Sequence, residues 1–157
     1  MREILFRGKS ANEIGWITGS LRITTIQPAD DEPYKRYEIE DTTLGVFPND
    51  FMSGICETVI PKTVGQFTGM TDKNNRRIFE HDLIKQHFGD EIGIIRFGKY
   101  NNPFGDDGFG GHVGFYVEWV AGTYPQTLRK DLGYWMQMVE VIGNIHDNPE
   151  LLEVDND

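Results

Sequence analysis

Apolar and polar residues change places every one or two positions along most of this chain, in runs too short for helices. "EILFRGK" (Glu3–Lys9) alternates weakly, and "GWITGSLRITTI" (Gly15–Ile26) is rich in β-branched and aromatic residues. "YKRYEIED" (Tyr34–Asp41) sets Tyr37 and Ile39 on one face and Arg36, Glu38 and Glu40 on the other. These three segments predict a β meander over roughly residues 1–60 with one wet face. Between them, "SANEIG" is a turn cluster, and in "QPADDEP" Pro28 and Pro33 bracket three acids. "FPNDFMSG" (Phe47–Gly54) then predicts one helical turn, capped by Asn49 or Asp50 and ended by Gly54. "ETVIPKTVGQFTG" reads as extended chain, with Pro61 marking an edge or a bend.

The second half is more strongly β. "DLIKQHF" (Asp82–Phe88) and "EIGIIRFG" (Glu91–Gly98) flank Gly89-Asp90, the signature of a two-residue hairpin. "HVGFYVEWV" (His112–Val120) alternates cleanly and predicts that Val113, Phe115, Val117 and Trp119 face the core. "MQMVEVIGNI" (Met136–Ile145) is the last strand. "DNPELLE" closes the pattern with a helical turn over 148–153, Asn148 as its cap, Pro149 at the first position and Glu150 favouring the dipole. Tyr134, Trp135, Met136 and Met138 form a stripe within "GYWMQMVEV" (Gly133–Val141). It reads as core, with a partner surface as the other use of such residues.

Composition narrows the class. The chain has 157 residues, long enough to bury a core without metal or disulfide staples, and it reads as one domain. Ten Phe, six Tyr and three Trp supply large pieces of burial. The formal charge is −10, from 15 basic and 25 acidic residues, and such a field repels phosphate backbones. Nucleic acid is therefore not an expected partner. No run approaches the roughly 20 apolar residues that cross a bilayer as a helix. With no leader-like start and a single cysteine, Cys56, the reading is a cytoplasmic protein with Cys56 as a small buried hydrophobe.

Candidate chemistry changes this picture little. Glu80-His81-Asp82 is the densest cluster of ligand-type residues, but in an extended chain Glu80 and Asp82 point together and away from His81. His81 and His87 would lie about 20 Å apart on one strand, at about 3.3 Å per residue. His112 and His146 stand alone in the sequence, so no metal ligands are assigned. "NNPFGDDGFGGHVG" (Asn101–Gly114) holds five glycines and two acids, Asp106 and Asp107. It lacks the lysine or helix start of a phosphate cradle and reads as a loop, at most a weak divalent-cation site. Serine occurs only at positions 10, 20 and 53, without a nucleophile elbow. No catalytic residue and no cofactor site is assigned.

The most distinctive stretch is "GQFTGMTDKNNRRIFEHDLIK" (Gly65–Lys85). Asp72 is suited to open a turn by accepting backbone N–H groups, and Asn74 and Asn75 tolerate left-handed backbone. This stretch, "REILFRGK" at the start and "EVIGNIHDNPELL" near the end resemble, in that order, the YopX family of bacteriophage and prophage proteins. Phe67-Thr68-Gly69, Asp72-Lys73-Asn74, Ile78-Phe79-Glu80, Asp82, Val141–Ile145 and Asn148–Leu152 carry the match. Asn75 and His81 stand where that pattern commonly has glycine. The resemblance covers nearly the whole chain. It implies a mainly β fold, an SH3-type barrel or roll, with the barrel-like part over about 61–147, but it implies no activity. The functional expectation is a phage-type accessory module that binds protein or its own copies. A divalent-cation-dependent hydrolase or nuclease is the alternative, and an acidic mimic of DNA, suggested only by the charge, a third.

Overall fold

The computed structural model describes residues 1–41, 55–105 and 110–153. The predicted turn at Phe47–Gly54 and the acids Asp106 and Asp107 lie outside the described residues. The chain divides into two compact units, Met1–Phe67 and Thr68–Asp157.

The first unit is the predicted meander. β1 (Phe6–Lys9), β2 (Trp16–Ile26), β3 (Tyr34–Asp41) and β4 (Ile55–Thr58) pair antiparallel in the order β4-β3-β2-β1. Gly65 and Gln66, at the start of β5 (Gly65–Thr71), pair with β1 on its other side. Ile39 sits at 0% exposure with Ile17 and Val59, and Phe6, Leu21, Tyr37 and Val64 pack around them. β1 and β2 begin later than their apolar patterns, whereas β3 has the predicted bounds. Pro61 starts a 3-10 turn, Pro61–Thr63, that bends the chain between β4 and β5.

Cys56 is exposed rather than buried. β4 is an edge strand, and its alternation turns Glu57 and Val59 inward, which leaves Cys56 outside with its Sγ 3.1 Å from Arg22 Nη2. A local reading of an apolar run has no access to that phase.

The second unit holds the larger core. β5 continues here beside β6 (Arg77–Phe79), and β7 (Asp82–Gln86), β8 (Ile92–Tyr100), β9 (His112–Ala121) and β10 (Val139–Asn144) form an antiparallel sheet ordered β10-β7-β8-β9. Ile78, Ile84, Ile95, Val117, Trp119, Leu132, Trp135 and Val139 form its buried cluster. The fold is mainly β, in open antiparallel sheets; no closed barrel forms among the described residues.

The β7–β8 hairpin is present, with one difference. β7 ends at Gln86, whose N–H donates to Glu91 O, so four residues rather than two make the connection. The cause is a competing bond: His87 N–H donates to Met138 O and not across the hairpin. On β9, Val117 and Trp119 are buried and Phe115 is half-buried against the core, as the alternation predicts. Val113 departs from it at 74% exposure, because the β8–β9 ribbon runs on beyond the core.

A short helix, α1 (Leu132–Trp135), overlaps the start of the stripe Gly133–Val141, whose apolar density did not disclose it. Trp135 is buried, Met136 and Met138 pack against the cluster, and Tyr134 is exposed. The C-terminal turn is a 3-10 helix, Pro149–Leu152. Asn148 precedes it without a side-chain cap bond; its Oδ1 accepts from Asn144 N–H at 3.3 Å instead.

Candidate functional site

Buried carboxylates come first in any search for chemistry, and here they hold backbone. Asp72 has 0% exposure. Its Oδ1 accepts from Asn74 N–H at 2.8 Å and Arg76 N–H at 2.9 Å, and its Oδ2 from Val141 N–H at 2.9 Å. Asn75 follows at φ 60°, so the turn is built as Asp72 and the asparagines imply. Asp82, 1% exposed, accepts from Phe79 N–H at 2.8 Å. Lone pairs committed to amides in this way make poor general bases.

Three other carboxyls lie in networks that favour their ionised form. Ser10 Oγ and Asn12 Nδ2 each donate to Glu57 Oε1 at 2.7 Å, and these two bonds hold its carboxyl below the ordinary range despite burial. Asp90 is lowered by the backbone and then the hydroxyl of Thr123, at 3.1 and 2.9 Å. At Asp131 burial opposes ionisation, but Tyr100 OH, Asn102 Nδ2 and Arg129 together outweigh it and lower its pKa. Each is a latch between segments: Ser10 to β4, Thr123 to the hairpin tip, and the 128–131 segment to the end of β8.

That last latch shapes a surface. The indoles of Trp119 and Trp135 both donate to Arg129 O, at 2.8 and 2.7 Å, and Lys130 N–H donates to Asn102 Oδ1 at 2.7 Å. Beside them opens a cleft of about 210 Å³ whose walls include Asn101, Pro103, Trp119, Pro125 and Lys130. The Asn101–Gly114 loop therefore contributes one wall of a groove with its first residues.

Next to the cleft, the β8–β9 ribbon carries an apolar face out of the core as far as Phe97, with Val113 beyond it beside Lys99. The pair Ile95–Val117 is fully buried; the next pair on that face, Phe97–Phe115, stacks edge to face at 5.0 Å with Phe97 56% exposed. The pair after that is Lys99–Val113, with both residues exposed. The opposite face is aromatic too, with Tyr100 stacked on Tyr116 and His112 at 5.1 and 5.3 Å.

The histidines correct the sequence reading. His146 does not stand alone: its Nε2 lies 3.3 Å from His81 Nδ1, with the rings edge to face at 5.2 Å. Nor do residues 80–82 form plain extended chain. Glu80 and His81 turn between β6 and β7, His81 has φ 74°, and Glu80 Oε1 lies 3.9 Å from His81 Nε2. His87 is elsewhere, 3.2 Å from Lys73 Nζ, and His112 is in the Tyr100 stack. The only sequence signal for this pairing was a non-glycine at a position whose backbone suits glycine. Among the described residues no group of three or more His, Cys, Asp or Glu converges as a ligand set.

The chain is similar, at 20% identity and a TM-score of 0.45, to the crystal structure of protein EF1440 from Enterococcus faecalis, over 98% of this chain and 100% of that one. No curated protein matches it. The sequence model described as "YopX protein" matches residues 6–153, and the chain belongs to the YopX family.

Proposed function

We propose that this protein is a noncatalytic accessory module of phage or prophage type, cytoplasmic, that works by binding protein, either another chain or its own copies. The carrying observation is the apolar face of the β8–β9 ribbon, which leaves the core and continues into solvent through Phe97 and Val113. Apolar area on a paired ribbon beside a cleft lined in part by Trp119 is what a protein partner buries on docking. The buried carboxylates support the same reading, since their oxygens hold turns together rather than face a substrate.

Charge sets the partner's chemistry. At −10 the chain favours neutral or basic partners, and salt screens that attraction over about 8 to 10 Å. Duplex DNA should not bind at ordinary salt, which a gel shift checks.

The test pairs solution mass with capture from host extracts, with and without phage induction, for the wild type and a Phe97→Ser/Val113→Ser variant. Both residues are exposed, so thermal stability should change little while a specific partner, or self-association, is lost. An unchanged oligomeric state and capture profile would remove the ribbon from the binding surface.

A further inference from the structure

We infer that His81 and His146 form a two-imidazole site for a tetrahedral transition-metal ion of the Zn²⁺ type, independent of the protein-binding face proposed above. The argument is geometric. Two nitrogens bound to one ion at about 2.0–2.1 Å with a tetrahedral angle lie about 3.3–3.4 Å apart, whereas a square-planar cis pair lies about 2.9 Å apart. His81 Nδ1 and His146 Nε2 are separated by 3.3 Å. The bite is already that of the tetrahedral case.

Both ligands are held by backbone. His81 N–H donates to Ile95 O at 2.9 Å and its carbonyl accepts from Ile145 N–H at 3.1 Å, which ties it to β8 and to the chain just before His146. His146 N–H in turn donates to Asn144 Oδ1 at 3.0 Å. Such pinning reduces the ordering needed on binding.

The far nitrogen of His81 faces Glu80 Oε1 at 3.9 Å. At that distance the carboxylate is a negative charge beside the imidazole, on the side where metal-bound histidines commonly have an acidic outer partner. The arrangement runs Glu80, His81, ion, His146, with water completing the shell. His81 and Glu80 are both partly exposed, at 17% and 27% of their side chains, so an ion can reach the site. The acidic field of the chain raises local cation concentration. Finally, His81 holds φ 74°, where glycine would sit without strain, and an unfavourable backbone kept for a particular side chain points to a use for that side chain.

The experiment uses the full-length chain without an affinity tag, stripped of metal, and titrates it with ZnCl₂ by calorimetry and with Co²⁺ by visible absorption. The wild type should bind one equivalent of Zn²⁺, gain thermal stability from it, and give the intense visible band of tetrahedral Co²⁺. His81→Gly suits the backbone at that position, so it should fold as the wild type by circular dichroism yet bind Zn²⁺ at least tenfold more weakly. His146→Gln should lose binding to the same degree, and acidification should weaken it in the wild type as protons compete for the lone pairs. Absence of a Zn²⁺ complex in the wild type overturns the inference and leaves the pair as a hydrogen bond between rings. Wild-type Zn²⁺ affinity in folded His81→Gly or His146→Gln, or a weak octahedral Co²⁺ spectrum, overturns it as well.

Discussion

Replacing Asp72 with alanine takes the acceptor from three backbone N–H groups at once, those of Asn74, Arg76 and Val141. Donors left without a partner near a buried position cost far more than the bonds gain, so Asp72→Ala should destabilise the protein by about 2–4 kcal/mol. Asparagine there keeps one acceptor oxygen and should cost less. Three residues on, Asn75 has φ 60°, so Asn75→Ala should lose about 1–2 kcal/mol to left-handed strain while Asn75→Gly stays near neutral. Urea unfolding of the four variants gives these differences. If Asn75→Ala matched wild type, the turn in solution would differ from the one described.

Burial along β8 changes within a single strand, and the energetics should follow. Ile95 is fully buried opposite Val117, so Ile95→Ala should cost about 2–5 kcal/mol. Phe97 lies on the same face one pair further out and is 56% exposed, so Phe97→Ala should cost well under half of that. Phe115 falls between them, because half-burial removes part of the roughly 3–5 kcal/mol that a fully buried phenylalanine would cost. Amide exchange tests the β7–β8 hairpin. Ile84 and Gln86, whose N–H groups face β8, should be protected and Gly89 and Asp90 should exchange quickly, with His87 protected only through its bond to Met138. A fast His87 would return the connection to the shorter turn that Gly89-Asp90 suggests.

At the scale of the molecule, acid should act in part through three carboxyls of the described residues. Glu57, Asp90 and Asp131 have folded pKa values below their ordinary 4.5, 3.8 and 3.8, so the folded state holds these protons less tightly than the unfolded chain. Their stabilisation is therefore present above about pH 5 and is lost as pH falls through 4 and below. Asp131→Asn should flatten that acid limb in a pH series of melting temperatures, since amide in place of carboxylate removes one of the three titrations. The larger buried cluster lies in the second unit and the smaller in the first. The slowest amides should accordingly be those of Ile84, Ile95 and Val117, and the half-exposed end of β2–β3 near Ile23 and Tyr34 should exchange sooner.

What the sequence determined by itself is local. Alternation placed β3, β9 and both arms of the hairpin because side-chain period is a property of each strand. Asp72 and Asn75 declared their turn because a carboxylate accepting nearby amides needs only neighbouring residues. The family pattern was readable for the same reason, as three blocks in order. Tertiary structure decided the rest. Cys56 is outside because β4 is an edge whose inward phase belongs to Glu57 and Val59. Val113 is outside because the β8–β9 ribbon outruns its core. His146 meets His81 across 65 residues because a left-handed turn at one and a bent chain end at the other bring two rings to 3.3 Å. Spacing along a chain measures distance only while the chain runs straight, and those two histidines lie where it turns.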